Sequence, residues 1–463
     1  MVITIVIICF LIVLIPIIYK YTSNEVWDFG WLHSAKPAFV YYPTNEKEIL
    51  RLINDYPHHQ FSLAGSKYSH GGHTMLNNAI YLDFKNYNQI INFDINQEII
   101  TVQAGTTWEQ IISYLDQFNY SVSEMQSYSN FTVGGSISVN CHGRGTIYGT
   151  LADCIHTMQV ITMEGKVLLI NDHQYSDLFK AIIGGYGGIA IISEATLKVT
   201  NNYPIERKIT ITDGLDLCPI MKKIISDPDL VFYNANIYPK NENKIVHICW
   251  YRSQLPLTCH HRLQSKKQVY WFEMIGEQIL RRNDFFKRLR GKLEPYILCN
   301  HAVVWRNYEM SYDVNALQPL MKFPTTTILQ EYFLPIENIH KFLYFFWEVV
   351  NYYKVNLLNL SIRYVKKTSI PLLNYVPNDR LALVLYINIG NNQMCVNYMK
   401  KWTRLLIDRI IEYGGSYYLP YLPLATKSQF QLAYPLFFIY LKIKKKYDPL
   451  NRLSSQFLKY YLT

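Results

Sequence analysis

The sequence holds little from which to build a metal centre or a disulfide framework. Its eight cysteines lie at positions 9, 141, 154, 218, 249, 259, 299 and 395, with no Cys-x-x-Cys pair and no His/Cys spacing of the zinc type. His260 and His261 follow Cys259 directly, but no second half of a ligand set accompanies them, so no metal is expected. Cysteines scattered in this way read as free, buried thiols in a reducing compartment. Charge is also scarce. Asp, Glu, Lys and Arg make up 17% of the chain against 49% hydrophobic residues, which excludes a disordered polyelectrolyte and leaves enough apolar material for real cores. There is no internal repeat, no low-complexity linker, no nucleic-acid-binding motif and no Gly-x-x-x-x-Gly-Lys-Ser/Thr loop. No Gly-x-Gly-x-x-Gly follows a first strand, so a Rossmann nucleotide site is not supported.

Charge is missing altogether from residues 1–18, MVITIVIICFLIVLIPII, whose one polar side chain is Thr4. That length sits at the lower edge of a membrane span. The basic start and small-residue cleavage site of a signal peptide are not evident, which favours an uncleaved, single-pass anchor over residues 1–20. Lys20 is the nearest charge, and the positive-inside tendency then places the main body in the cytoplasm. The net charge is +10, part of it in LKIKKK at 441–446. That excess reads either as a solvated basic surface or as an attraction to anionic membrane. Tyrosine is abundant (39 residues), in keeping with an AT-rich coding bias, so a single tyrosine carries little weight.

At 463 residues the chain is long enough for two or three domains. Thr44 or Asn45 caps an expected helix whose first turn carries Glu46 and Glu48, with Ile49, Leu50, Leu52 and Ile53 as its apolar face. HQFSLAG, NAIYLDF, IINFDI and EIITVQAG read as short strands, and TTWEQIISYLDQF as a capped helix. MQVITMEGKVLLIN reads as a hairpin turning at Glu164-Gly165. YSDLFKAIIGGYGGIAIISEATLKVT reads as a helix, a glycine turn and a long strand. Residues 36–200 are therefore expected to be α+β. From about 205 longer strands (ERKITITD, LVFYNANIYP, KIVHICWYR, TTILQEYFLP, RLALVLYINIG) alternate with helices, which reads as a second α+β domain over 205–440. A tail over 441–463 turns at Asp448-Pro449.

Three glycine-rich stretches fall in the first half: AGSKYSHGGHT (64–74), FTVGGSISVNCHGRG (131–145) and GGYGGIA (184–190), each read as ending a strand-like run. Isolated glycine pairs usually mark turns. Three clusters flanked by hydroxyls instead suit a ligand that needs close backbone approach, because glycine lets N–H groups curl into anion-binding nests. Ser66, Ser69, Thr132, Ser136 and Ser138 are expected to add donors, and Asn140 and His142 orienting contacts. A pyrophosphate needs such a donor-dense, side-chain-poor cradle.

In this order, with QAGTTW and DLFKAIIGGYGGIAIISEATL, these stretches resemble the FAD-binding domain of the vanillyl-alcohol oxidase superfamily, and most of all its sugar and aldonolactone oxidases. The resemblance runs continuously over 36–200 and more weakly through EYFLP, NLSIRYV, GGSYYLPY and YDPLNRLSSQF. It implies an α+β, two-domain protein: a PCMH-type FAD-binding fold, to which the tail at 441–463 returns, and a substrate domain. By the resemblance Ala64, Gly65, Ser66, Lys67, Tyr68 and Ser69 wrap the FAD pyrophosphate. Gln126, Ser127, Gly134, Gly135, Ser138, Asn140 and His142 line the cofactor. Gly187, Gly188, Ile189 and Ile191 present backbone to the adenosine end. Covalent members of the family carry Gly-x-x-His-Ser. Here the pattern reads Gly65-Ser66-Lys67-Tyr68-Ser69, so Tyr68 replaces the linking histidine and a dissociable FAD is implied. His70 and His73 keep a linkage in a shifted register open, and Tyr68 as a plain core aromatic is the bland alternative. Asp153 reads as a structural cap or pair.

On the substrate side NLSIRYV resembles the family strand that carries a Glu-x-Arg pair. Arg363 matches the arginine, and Ser361 stands where the carboxylate would be. Glu331 reads as a structural ion pair or cap. Tyr418, Tyr421 and Lys427 follow the late glycine pair, where sugar oxidases place a basic residue; a tyrosine there serves as donor, or as base if its pKa is lowered. The resemblance implies an FAD-linked enzyme that oxidises a hydroxyl-bearing carbon of a sugar-like alcohol or aldonolactone by hydride transfer to flavin N5, with oxygen or another electron acceptor. Two rivals stay open: a lipid-linked sugar or sterol-type substrate, suggested by the N-terminal stretch and basic tail, and a flavin-binding protein that has lost catalysis, suggested by Ser361 and Tyr68.

Overall fold

The structure, a computed structural model, describes residues 25–214, 217–265, 271–313 and 324–462, and of 271–274 the backbone alone. The expected anchor over residues 1–20 lies outside the described residues. Among the described residues no helix is long and apolar enough to cross a membrane.

A short hairpin, β1 (Val26–Trp27) with β2 (Ser34–Ala35), leads into a three-stranded parallel sheet. Its strands are β3 (Phe39–Tyr41), β4 (Phe61–Ala64) and β5 (Ile80–Asp83), with β5 central. Helix α1 (Glu46–Asp55) connects β3 and β4. Of the two candidate caps Asn45 is used: its side chain accepts from the N–H of Glu48, and Ile49, Leu52 and Ile53 are buried. The second sheet is antiparallel and six-stranded. It comprises β6 (Ile90–Asp94), β7 (Ile99–Gln103), β8 (Tyr120–Val122), β9 (Ile155–Ile161), β10 (Val167–Ile170) and β11 (Ile191–Asn201). Helix α2 (Trp108–Leu115) is closed by a Thr107/Gln110 capping box and buries Trp108, Ile111, Ile112 and Leu115. The β9–β10 hairpin turns at Gly165, whose φ is +78°.

The second glycine stretch departs from the strand-ending reading. It opens helix α3 (Val133–Ser138), with Thr132 as N-cap. Two consecutive glycines disfavour a helix, but the cap and the burial of Val133 and Ile137 override propensity. A Cβ on Gly134 would strike Ala104, so glycine is what lets this helix lie against the end of β7. Helix α4 (Ser176–Ile182) and a glycine turn then lead into β11.

The chain crosses next into an eight-stranded antiparallel sheet. Its strands are β12 (Pro204–Asp213), β13 (Leu230–Ile237), β14 (Lys244–Arg252), β15 (Ala302–Trp305), β16 (Thr325–Leu334), β17 (Leu357–Val365), β18 (Arg380–Gly390) and β19 (Ser416–Tyr417), in the order β15-β12-β14-β13-β17-β18-β16-β19. Helices α5 (Leu217–Ile225), α6 (Trp271–Arg282), α7 (Asp284–Leu298), α8 (Arg306–Met310), α9 (Ile339–Tyr352) and α10 (Gln393–Glu412) are threaded between them. Residues on alternate positions of the central strands share a face. On that face the pairing sets Asn236 beside Ser361, Ser361 beside Val384 and Val384 beside Glu331, a single row across four strands.

Three helices close the chain: α11 (Lys427–Ala433), α12 (Phe437–Tyr447) and α13 (Gln456–Leu462). The tail returns to the first sheets. Phe61 donates its N–H to Arg452 and accepts from Ser454, and the Lys444 ammonium donates to the carbonyls of Gly188 and Leu453. The return begins with α12, whose Tyr440 hydroxyl donates to Gly185, one residue before the expected boundary at 441. The seven described cysteines are all free.

Candidate active site

One cavity of about 1050 Å³ joins the glycine-rich loops of the first half to the row of polar residues on the eight-stranded sheet. That is at the upper end of the usual range for ligand cavities. It is lined by Ala64 to Ser69, Gln126, Ser127, Gly134, Gly135, Ser138, His142 and the 187–191 turn, and on the other side by Arg363, Tyr418 and Tyr421. The structure thus gathers all the expected site residues except two. Asn140 turns away: its side-chain oxygen accepts from Ala152 N–H, because a left-handed backbone at Asn140 (φ +46°) aims the amide into the protein. Lys427 is exposed as the first residue of α11, outside the cavity lining.

The cradle is a backbone one. Among the described residues the N–H groups of Ser66, Lys67, Tyr68 and Ser69 donate to no other protein atom. Lys67 sits at φ +62°, in the left-handed region, so successive N–H groups here converge in the manner of an anion nest. Three of the five hydroxyls expected as donors, those of Ser66, Ser136 and Ser138, are spent on backbone carbonyls. Ser66 donates to Asn130 O at 2.6 Å, Ser138 to Gly134 O at 2.7 Å and Ser136 to Thr132 O at 2.8 Å, while Thr132 accepts from Gly135. The Ser127 hydroxyl, by contrast, is buried without a hydrogen-bond partner. The Lys67 ammonium pairs with buried Asp83 at 2.5 Å. A ring of unclaimed N–H groups around small residues fits the diphosphate of FAD.

Tyr68 packs between Phe29 and Phe131, ring centroids 5.5 and 4.9 Å away. Burial, helped by Asp313, pushes its phenol up to about 12, so it stays neutral. His73 donates from Nε2 to Leu419 O at 2.8 Å and stacks on Phe457, and burial brings its pKa down to about 4. His70 lines the cavity with its ring 6.1 Å from that of Tyr421.

At the junction of the two halves His142 Nε2 lies 2.8 Å from Glu331 Oε1, both side chains buried. Burial alone would raise the Glu331 carboxyl. His142 outweighs it, helped by Arg363 and Tyr421, and holds the pKa below its ordinary value. A carboxylate only accepts, so Nε2 carries the proton. Tyr421 also donates to Glu331, at 3.3 Å to Oε2. Glu331 is therefore an ion-pair partner, as its sequence motif implied, but one that faces the cavity. Tyr418 donates to the carbonyls of Val139 and Asn140, so its proton is engaged. Burial raises both phenols far above their ordinary value, with Tyr375 adding at Tyr418 and Glu331 at Tyr421. A tyrosine base of lowered pKa is therefore not what this site provides. Arg363 makes no ion pair among the described residues, and its buried Nε has no hydrogen-bond partner.

The sequence reading missed the rest of the sheet wall. Asn359 donates to Ser361 Oγ at 2.9 Å, and Ser361 donates to Asn236 Oδ1 at 2.7 Å. The other polar atom of Asn359, its Oδ1, is buried without a partner. Tyr386 donates to Glu277 Oε1 at 2.6 Å at the far end. The signal was present in the sequence as period-two polar positions in two apolar strands: Asn234 and Asn236 on β13, and Asn359, Ser361 and Arg363 on β17. Asp153 is structural, as expected: it accepts from the N–H groups of Gly149 and Thr150 and from the Thr368 hydroxyl.

Comparison with known proteins agrees with this geometry. Residues 37–171 match the family model described as an FAD binding domain. D-arabinono-1,4-lactone oxidase of Candida glabrata is 23% identical over 189 residues, 39% of this chain and 35% of that protein. The match thus spans about a third of that relative's length. Decaprenylphosphoryl-beta-D-ribose oxidase of Mycolicibacterium smegmatis is 22% identical over 409 residues, 82% of this chain and 84% of that protein. A solved structure of a mutant cholesterol oxidase from Brevibacterium sterolicum superposes with a TM-score of 0.73 at 15% identity, covering 95% of this chain and 97% of that one, which establishes a shared fold. Residues 37–171 thus form an FAD binding domain, and FAD is the cofactor of this chain.

Proposed function

We propose that this FAD-dependent oxidoreductase oxidises a hydroxyl-bearing carbon of a sugar-like alcohol or aldonolactone. The observation that carries the reading is the single cavity that runs from the cradle of unclaimed N–H groups to a wall of neutral hydrogen-bonding side chains. We assign residues 36–200 and the C-terminal tail to the FAD domain and 205–440 to the substrate domain. Bound FAD supplies the hydride acceptor. Ser66 to Ser69 hold its diphosphate through backbone N–H groups. Tyr68 packs in the same wall of the cavity and leaves the cofactor dissociable. Arg363, a cation with no carboxylate of its own, supplies positive charge where negative charge develops. The His142–Glu331 pair, with Tyr421 on the second carboxylate oxygen, orients the substrate hydroxyl and takes up its proton. Asn236, Ser361 and Asn359 bind the remaining hydroxyls. Ser361 thus loses the family carboxylate from β17, while Glu331 brings one to the same row from β16.

A second reading, a lipid-linked sugar as substrate, is favoured by the 82% coverage of the match to the decaprenylphosphoryl-ribose oxidase. The experiment is a flavin-bleaching panel under anaerobic conditions with polyols, aldonolactones and a lipid-linked pentose, preceded by acid precipitation. Flavin in the acid supernatant and bleaching by a polyol or lactone are the expected results. Colour in the pellet would show a covalent link, and bleaching by no member would overturn the substrate class.

A further inference from the structure

Helix α7 is amphipathic the wrong way round. Its buried face carries Lys287, Gly291 and Pro295. Lys287 donates to Asn356 Oδ1 at 2.7 Å and pairs with Asp284 at 3.2 Å. A Cβ on Gly291 would lie 2.9 Å from the Tyr238 Cβ, so glycine lets the helix rest on the chain just after β13. The apolar residues stand in solvent instead. Phe285 is 65% exposed, Leu293 51%, Tyr296 75% and Ile297 65%, and Leu289 is exposed between them. Three or four residues apart, they make one stripe along the helix. On α6 Ile275 and Ile279 are exposed one turn apart. Arg282, Arg288 and Lys292 are exposed among these residues, and none of the three has a carboxylate partner among the described residues. The described carboxylates of the two helices are all engaged: Glu277 with Arg281, Asp284 with Lys240 and Lys287, and Glu294 with Arg290.

A surface helix ordinarily turns its apolar stripe to the core. A contiguous stripe turned outward marks an interaction site. A second copy of the chain is a poor occupant, because it would bring the same three cations to the same face in a protein of net charge +10. The headgroup layer of an anionic bilayer accepts both components: phenylalanine, leucine and isoleucine enter the acyl boundary, tyrosine sits at the interface, and arginine and lysine meet lipid phosphates. We propose that α6 and α7 form a docking face for an anionic bilayer. The same two helices wall the far end of the cavity, through Gly276, Glu277 and Leu280 of α6 and Arg290 of α7. Docking therefore sets the end of the cavity remote from the glycine cradle beside the bilayer.

The test uses the full chain with vesicles of phosphatidylcholine alone or with phosphatidylserine, at low and high salt. Leu293→Trp places a reporter in the stripe, and Leu169→Trp places one at an exposed site on β10, in the first half of the chain. Quenching by brominated lipid, taken over that of the parent, should appear for Leu293→Trp on phosphatidylserine vesicles, fall in high salt, and be absent for Leu169→Trp. Attachment through the stretch 1–18 alone would not select between the two reporters. On the Leu293→Trp background, Arg282→Glu/Arg288→Glu/Lys292→Glu should raise the phosphatidylserine concentration for half-maximal quenching more than about tenfold, since each cation contributes a severalfold factor near an anionic surface. Phe285→Ser/Leu289→Ser should raise it with the salt dependence intact. Thermal unfolding and the flavin spectrum, which none of these exposed residues should alter, confirm that the variants are folded. No added quenching at Leu293→Trp, equal quenching at both reporters, or a charge-reversed variant that binds as its parent does would each overturn the proposal. So would a vesicle-independent dimer that Phe285→Ser/Leu289→Ser dissociates, or capture of polyglutamate in preference to vesicles.

Discussion

Glu331 and His142 meet through a 2.8 Å hydrogen bond that joins the eight-stranded sheet to the loop following α3, across 189 residues of sequence. Both side chains are buried. Removing one partner leaves the other with an uncompensated buried polar group. Glu331→Ala or His142→Ala should each cost about 3–5 kcal/mol, read as a lower urea midpoint. Glu331→Gln keeps a hydrogen-bond acceptor and should cost less. If the two alanine losses add fully in the double variant, the pair does not act as a unit.

Arg363 should matter to chemistry more than to assembly. Arg363→Ala is expected to slow anaerobic flavin reduction about 100-fold or more while the purified protein keeps its FAD. Loss of flavin together with rate would instead make Arg363 a cofactor-binding residue.

The unpartnered oxygen of Asn359 predicts a specificity effect. Asn359→Leu should raise KM for a hydroxyl-rich substrate about tenfold with kcat little changed. An equal fall in kcat would place the reacting carbon, not a distal hydroxyl, at this residue.

The cradle has its own test. A Cβ on Gly65 would strike the Thr132 hydroxyl, which accepts from Gly135 as the cap of α3. Gly65→Val should therefore lower FAD occupancy, measured as the ratio of visible to ultraviolet absorbance. Gly214, whose Cβ would meet nothing, is the control: Gly214→Ala should retain full occupancy.

Glu124 predicts a pH dependence. Burial raises its carboxyl to about 8, and the nearby Arg306 only partly offsets this. The folded pKa lies above the unfolded one, so its contribution is fully present below about 4.5 and is lost as pH rises through about 8. The loss approaches about 4–5 kcal/mol as an upper figure. Thermal stability should therefore fall from pH 6 to 9, and Glu124→Gln should flatten that slope. A parallel slope in the variant would assign the effect to other groups.

Much of the fold was legible in the sequence because its signals are local. Asn45 and Thr107 cap the helices that the apolar spacing marked, and Gly165 turns the hairpin that alternation marked. The order of glycine stretches was legible for a related reason: close backbone approach tolerates few residue types. Helix α3 was not, since two glycines speak against a helix until the Thr132 cap and the packing on Ala104 are in place. Asn140 and Lys427 were misplaced because motif position names a residue and says nothing of where its side chain turns.

The sequence by itself carried the cofactor class, through its resemblance to a known family, and the absence of a cysteine metal motif, through spacing along the chain. Tertiary structure decided what lies between distant segments. Strand pairing placed Glu331 on the row of Ser361, and the loop after α3 brought His142 to it. The register of an antiparallel sheet is set by the packing of a whole face, so no single strand contains it. Burial, likewise a property of the assembled molecule, made Tyr418 and Tyr421 neutral donors and left Arg363 the cation without an ion pair in the cavity wall among the described residues.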